Sequence, residues 1–274
     1  MRRKKHPKTL VAAHDLGGAN QVIYSCLGSA NSFTLTGPAK KVGIVLGLSN
    51  LLEKDQVNLL DFDKLVVSSN LHHEYSDQLL IEAKSLGIPT VGFLDHWVNY
   101  RSRWPVRPDK IVVTDLFALL NALAIFGLRV RLYPNSYLKK IRNEYEFFSQ
   151  SSNSRRALFI IQPVGDEYAH GGQYPNCVCN SVEKLLEKHN VEQIRFRDHV
   201  DTDSSQCLLE LSQTYSQIEF SISDWADPLE LDVIKCDLVI GLDTYALYIA
   251  RKLGKKVLST GKRRAFLSPI YRRL

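Results

Sequence analysis

The chain offers little to a metal or a disulfide framework. Its five cysteines, at positions 26, 177, 179, 207 and 236, are scattered over 274 residues. Cys177 and Cys179 in "PNCVCN" have no second pair at zinc spacing. An odd count without a signal-peptide pattern argues for free thiols in a reducing compartment, because "TLVAA" is too short for the apolar core of a signal. No apolar run approaches the roughly 20 residues that a membrane-spanning helix needs. Internal repeats are missing as well, which sets solenoids aside.

What is there describes a soluble globular protein: 45% hydrophobic and 23% charged residues, enough apolar material for a core and enough length for two domains. The net charge of +6 is concentrated at the ends. "MRRKKHPK" and "GKRRAFLSPIYRRL" each carry five cations and no acid; without these ten, 25 basic residues face 29 acidic ones. The ends are either solvated tails or contacts to an anionic surface, of which lipid suits them better than nucleic acid. A cytoplasmic protein, peripheral to the inner face of a membrane, is the expectation.

The first half alternates apolar runs with amphipathic stretches. "TLVAAH", "SFTLTG", "KLVVSS", "IPTVGFLD", "DKIVVTD" and "VRLYP" read as strands. "ANQVIYSCLGSA", "HEYSDQLLIEAKSLG" and "LFALLNALAIFG" read as helices, the last two closed by glycine. "KKVGIVL" fits a strand or a helix start. Residues 149–156, rich in Ser and Asn, read as a linker, and the alternation then restarts with "ALFIIQP", "EQIRFRDH", "IEFSIS", "DLVIGLD" and "KKVLST" as strands. The expected architecture is α/β, with one parallel-sheet domain over 1–148 and another over 149–274.

In open α/β sheets, ligands sit beyond the carboxyl ends of the strands, where the following helices present their N–H groups. "HDLGGAN" places His14 and Asp15 after the first strand, with Gly17 and Gly18 leaving room for close approach. It is not the G-x-G-x-x-G pattern, so no dinucleotide is inferred. "FLDHWVNYRSR" places Asp95 and His96 at another strand end, able to take a proton from an attacking hydroxyl. Trp97 and Tyr100 offer flat surfaces for a sugar ring, and Arg101 and Arg103 suit phosphate or carboxylate. The plainer reading of this stretch is a capping Asp beside a buried Trp97. In the second half, "PVGDEYAHGG" is a glycine-rich loop containing Gly165, "IRFRDHVD" brings Arg197 and His199, and "GLDTYALYIARKLG" brings Asp243, Thr244 and Tyr245. Thr244 is suited to phosphate at a helix start, and equally to an ordinary N-cap.

These residues resemble the GT-B glycosyltransferases and their relatives, the non-hydrolysing UDP-N-acetylglucosamine 2-epimerases. "IRFRDHVD" is similar to the Arg-x-His-Pro strand end of sialyltransferase-like and capsule-type transferases, with Val200 in place of proline, and "CDLVIGLDTYALYIARKLGKKVLS" follows at the matching distance. The resemblance implies two Rossmann-like domains facing across a cleft. The second would bind a nucleotide sugar through Gly165, Arg197, His199, Asp243, Thr244 and Tyr245. The first would bind the acceptor through Gly17, Gly18, Trp97, Tyr100, Arg101 and Arg103, with Asp95 as base and Asp15, His14 or His96 beside it. No acidic pair such as Asp-x-Asp stands at a strand end, so no metal is expected; a cofactor is not expected either. The donor would be CMP- or UDP-linked rather than GDP-linked, and the acceptor a saccharide or a lipid-linked one. A sugar-nucleotide epimerase or hydrolase, or a non-catalytic sugar-nucleotide binder, has the same layout.

Overall fold

A computed structural model of the chain describes residues 7–28, 31–69, 74–95, 97, 100–145, 155–161, 174–198, 202–224, 227–241 and 244–260. The chain divides into two compact units between Lys139 and Lys140. That division falls ahead of the Ser/Asn-rich stretch read as a linker.

In the first unit the chain runs β1 (Thr9–Ala13), α1 (Leu16–Ser25), β2 (Asn31–Leu35), α2 (Gly37–Val45), β3 (Lys64–Ser68), α3 (Glu74–Ser85), β4 (Thr90–Leu94), β5 (Lys110–Val113), α4 (Leu116–Phe126) and β6 (Val130–Leu132). All the strand pairs are parallel, in the order β2-β1-β3-β4-β5-β6. Every residue of β1 is buried. A strand covered on both faces has no polar side to alternate with, which is why it reads as a continuous apolar run. Val11 lies opposite Phe33 on one side and Val66 on the other, and α1 closes this layer with Ala19, Val22 and Ile23. "KKVGIVL", open between strand and helix in the sequence, belongs to α2, whose start is set by Gly37 and Pro38.

A helix that the sequence reading passed over, α5 (Ser136–Tyr145), spans the division between the units. Its polar composition hid it: one stripe, Tyr137, Leu138 and Ile141, is buried, and the rest is exposed or half-exposed.

The second unit runs β7 (Arg156–Ile160), α6 (Tyr174–Lys188), β8 (Gln193–Arg197), α7 (Ser205–Thr214), β9 (Glu219–Ser223), α8 (Leu229–Ile234), β10 (Leu238–Gly241), α9 (Tyr245–Lys252) and β11 (Lys256–Ser259). Its strands are again parallel, ordered β11-β10-β7-β8-β9. The core gathers Phe159, Ile194, Phe196 and Ile240 from the sheet and Val182 and Leu185 from α6. Each sheet therefore reverses its strand order once, beside β1 in the first and beside β7 in the second. Such reversals open a crevice at the carboxyl edge, where ligands of doubly wound sheets bind. Among the described residues, no helix is long and apolar enough to cross a membrane.

Candidate active site

The reversal in the first sheet puts the loop after β1 next to the ends of β3 and β4, and Asp95 sits there. Ser69, fully buried after β3, donates its hydroxyl to Asp95 Oδ1 at 2.5 Å. The Asp95 backbone N–H in turn donates to Ser69 Oγ at 3.3 Å. The other carboxylate oxygen, Oδ2, faces the start of α1. A Cβ built on Gly17 would stand 3.3 Å from it, and one on Gly18 would stand 3.4 Å away. The Gly18 position is tighter still, because the same Cβ would meet the Cβ of Ser68 at 2.8 Å. Only a residue without a side chain lets the helix start approach β3 this closely.

The N-cap of α1, Asp15, makes no side-chain capping bond, and the first turn contains no acidic residue. Asp95 supplies from across the sheet the negative charge that a helix start favours, a contribution of about 0.3–1 kcal/mol. The loop read as "HDLGGAN" and the strand end read as "FLD" thus meet at one place. Ser69 was missed. Its signal was the position after "KLVVS", the same strand-end rule that singled out Asp95.

His14 closes β1. Its Nδ1 is 2.8 Å from the hydroxyl of Thr36, and its ring lies against Gly37, which has a φ of +52°. A Cβ at that glycine would come within 2.3 Å of the imidazole, so backbone and packing both demand glycine there. Beside His14 an open groove of about 780 Å³ is lined by Thr36, Lys40, Glu53, Lys54, Asp55 and the half-buried Tyr75, among others.

The aromatic and basic residues that follow Asp95 are placed differently from expectation. Trp97 is only 4% exposed, and its indole N–H points at both carboxylate oxygens of Asp115, 3.1 Å away. Asp115 also caps α4 by accepting from the Ala118 N–H at 2.8 Å. Tyr100 is buried and stacked on Phe126, with ring centroids 6.2 Å apart. Its hydroxyl has no hydrogen-bond partner among the described residues. Burial, and then the charge of Asp115, push its pKa well up, so the phenol stays neutral. Arg103 is buried too, and Arg101 is exposed. A buried ring cannot serve as an open platform for a sugar, so the packing role is the one that Trp97 and Tyr100 fill. His96 lies outside the described residues.

In the second unit, Gly165, His199 and Asp243 lie outside the described residues. Arg197 closes β8, as expected, but its guanidinium is already engaged. It donates to Asp232 Oδ2 at 2.6 Å and to the Asp227 carbonyl at 2.5 Å, with both side chains of the ion pair buried. Arg195 completes the arrangement, with its Nε 2.9 Å from Asp232 Oδ1. Arg197 was expected among the donor-binding residues, but its guanidinium is engaged in tying β8 to α8. Thr244 is the N-cap of α9, accepting from the Leu247 N–H at 3.4 Å, and is buried. Tyr245 is buried against Tyr248, with centroids 5.8 Å apart. Three buried oxygens around the ends of β8 and β9, Asp198 Oδ1, Ser204 Oγ and Ser223 Oγ, have no partner among the described residues. Asp198 belongs to the strand end "IRFRDHVD" read from the sequence; Ser204 and Ser223 were not singled out. Nor was the pair Asp201 and Asp203, an Asp-x-Asp set back from the end of β8. Asp203 is exposed, with its carboxyl held below the usual range by bonds from Ser205; Asp201 lies outside the described residues.

No family model matches the chain, and no curated protein matches it in sequence. Solved structures do match its fold. UDP-GlcNAc 2-epimerase from Methanocaldococcus jannaschii superposes with a TM-score of 0.58 at 14% identity, over 92% of this chain and 83% of that one. Acinetobacter baumannii MurG gives 0.51 at 9% identity, over 93% and 86%. A variant of the wall teichoic acid polymerase TagF, soaked with CDPG, gives 0.50 at 13% identity, over 98% and 78%. Two parallel α/β sheets, each with one reversal of strand order, and these neighbours together give the chain a GT-B glycosyltransferase-like fold.

Proposed function

We propose that the protein is a glycosyltransferase that moves a sugar from a nucleotide-activated donor to an acceptor hydroxyl. One observation carries the reading: at the switch point of the first sheet a carboxylate, Asp95, is held by Ser69 and set against the glycine-led start of α1. A carboxylate so held accepts the proton of an acceptor hydroxyl. The acceptor oxygen then bonds to the anomeric carbon as the bond from that carbon to the phosphate oxygen breaks, and its electron pair leaves with the nucleotide. Donor contacts belong to the second domain, where this reading assigns His199 and Thr244 to phosphate and ribose. Helix N–H groups there would stabilise the charge that develops on the phosphate. A cytidine or uridine donor is preferred, in keeping with the neighbour soaked with CDPG. Catalysis is proposed to need no metal, and full activity in excess EDTA is the expected result.

The epimerase among the neighbours supports a second reading, in which a nucleotide sugar is isomerised without any acceptor. Incubation with CMP-, UDP- and GDP-sugars, with and without saccharide acceptors, separates the two. Glycosidic product formed only with acceptor supports transfer. An isomerised nucleotide sugar in the arm without acceptor, or free sugar alone, replaces it with the epimerase or the hydrolase. Thermal stabilisation by nucleotide sugar with no turnover in either arm leaves a non-catalytic binder.

A further inference from the structure

The groove beside His14 extends past the strand-end residues singled out from the sequence. It lies wholly in the first domain, and its volume of about 780 Å³ is that of a small-ligand pocket. His14 joins it to the loop whose glycines abut Asp95. Its charges cancel: Lys40 and Lys54 stand against Glu53 and Asp55. Both ammonium groups already have company, with Lys40 Nζ 2.6 Å from Glu53 Oε1 and Lys54 Nζ 4.8 Å from the Tyr75 ring centroid. A phosphate or pyrophosphate needs cationic donors that are not yet neutralised, and this groove has no surplus of them. A sugar hydroxyl both donates and accepts, so it suits a wall that mixes the two. The lysines donate, Glu53 and Asp55 accept, the Thr36 hydroxyl paired with His14 Nδ1 still offers a lone pair, and Tyr75 adds an aromatic surface. Trp97 and Tyr100, which are buried, cannot supply that surface.

We propose that this groove binds the acceptor and that the acceptor end it recognises is an uncharged saccharide, not a phosphorylated carrier. The assignment of an acceptor rests on the glycosyltransferase reading; the saccharide chemistry rests on the groove itself. The test is titration of the isotope-labelled full chain with neutral hexose and N-acetylhexosamine di- and trisaccharides, with inorganic pyrophosphate and sugar 1-phosphates as the contrast. At least one neutral saccharide is expected to shift the amides of Thr36, Lys54 and Tyr75. Asp55→Asn, at an exposed position, and Tyr75→Ala are each expected to weaken that affinity about tenfold, the first through a hydrogen bond that loses its charged partner and the second through the lost aromatic surface. The proposal is overturned if only the phosphorylated probes shift these amides, if no probe does, or if both variants bind like the parent. Saccharide binding here with no transfer in any nucleotide-sugar assay removes the glycosyltransferase reading and keeps the saccharide site. Transfer whose acceptor KM is unchanged in both variants removes the groove and keeps the reading.

Discussion

Asp95 and Arg197 are both charged residues at the carboxyl end of a parallel strand, β4 in the first domain and β8 in the second, yet their surroundings differ in kind. The carboxylate of Asp95 meets one hydroxyl and two glycines, and it stays half-buried. The guanidinium of Arg197 is buried against a carboxylate and backbone carbonyls. The first is a charge held in position with capacity left over, and the second is a charge consumed in joining elements. Strand-end position nominates a residue for chemistry; the number of its donors or acceptors already satisfied decides whether it can perform any.

The comparison breaks or sharpens under substitutions at four positions. The largest expected effect is on stability: Arg197→Met leaves the buried Asp232 with Arg195 as its one ion-pair partner among the described residues and should cost about 3 kcal/mol, read as a lower denaturation midpoint. Nucleotide affinity of the folded fraction should be nearly unaltered. A tenfold loss of affinity at unchanged stability would instead make Arg197 a ligand contact and erase the contrast. Next, Asp95→Asn should cut transfer by about 100-fold or more with donor affinity intact, and an unchanged rate removes Asp95 from the chemistry. Ser69→Ala should lower kcat by about tenfold with little change in KM, because one hydrogen bond to a charged group is lost. Ser69→Thr, which keeps the hydroxyl, should recover most of that rate. Equal rates for parent and Ser69→Ala would show that something else holds the carboxylate. Smallest is Thr244→Ala, expected to cost about 1 kcal/mol of stability as a lost N-cap, with Thr244→Ser close to neutral. Donor affinity should fall with it, because the proposed function gives the same hydroxyl a contact to the donor; unaltered affinity in the alanine variant would leave Thr244 a cap alone.

Much of the fold could be read from the chain because a strand covered on both faces has no polar side: "TLVAA" and "KLVVS" announce β1 and β3 unaided. The helix α5 escaped because its buried stripe is narrow and its remaining positions are polar. At the site, Asp95 and the glycines of α1 were legible from position alone. Ser69 was not, although the rule that found Asp95 applies equally to it. Trp97 and Tyr100 looked like a sugar platform because an aromatic side chain reads the same in sequence whether it faces solvent or core. Only their packing against Asp115 and Phe126 tells the two apart.

By itself, then, the sequence determined two α/β halves, parallel sheets and the strand ends where polar residues collect, since those follow from local apolar runs and the turns between them. Tertiary structure decided which of those polar residues remain available. The partners that satisfy them come from far along the chain, 26 residues away for Ser69 and Asp95 and 35 for Arg197 and Asp232, and no local pattern records who will stand beside whom once the sheets form.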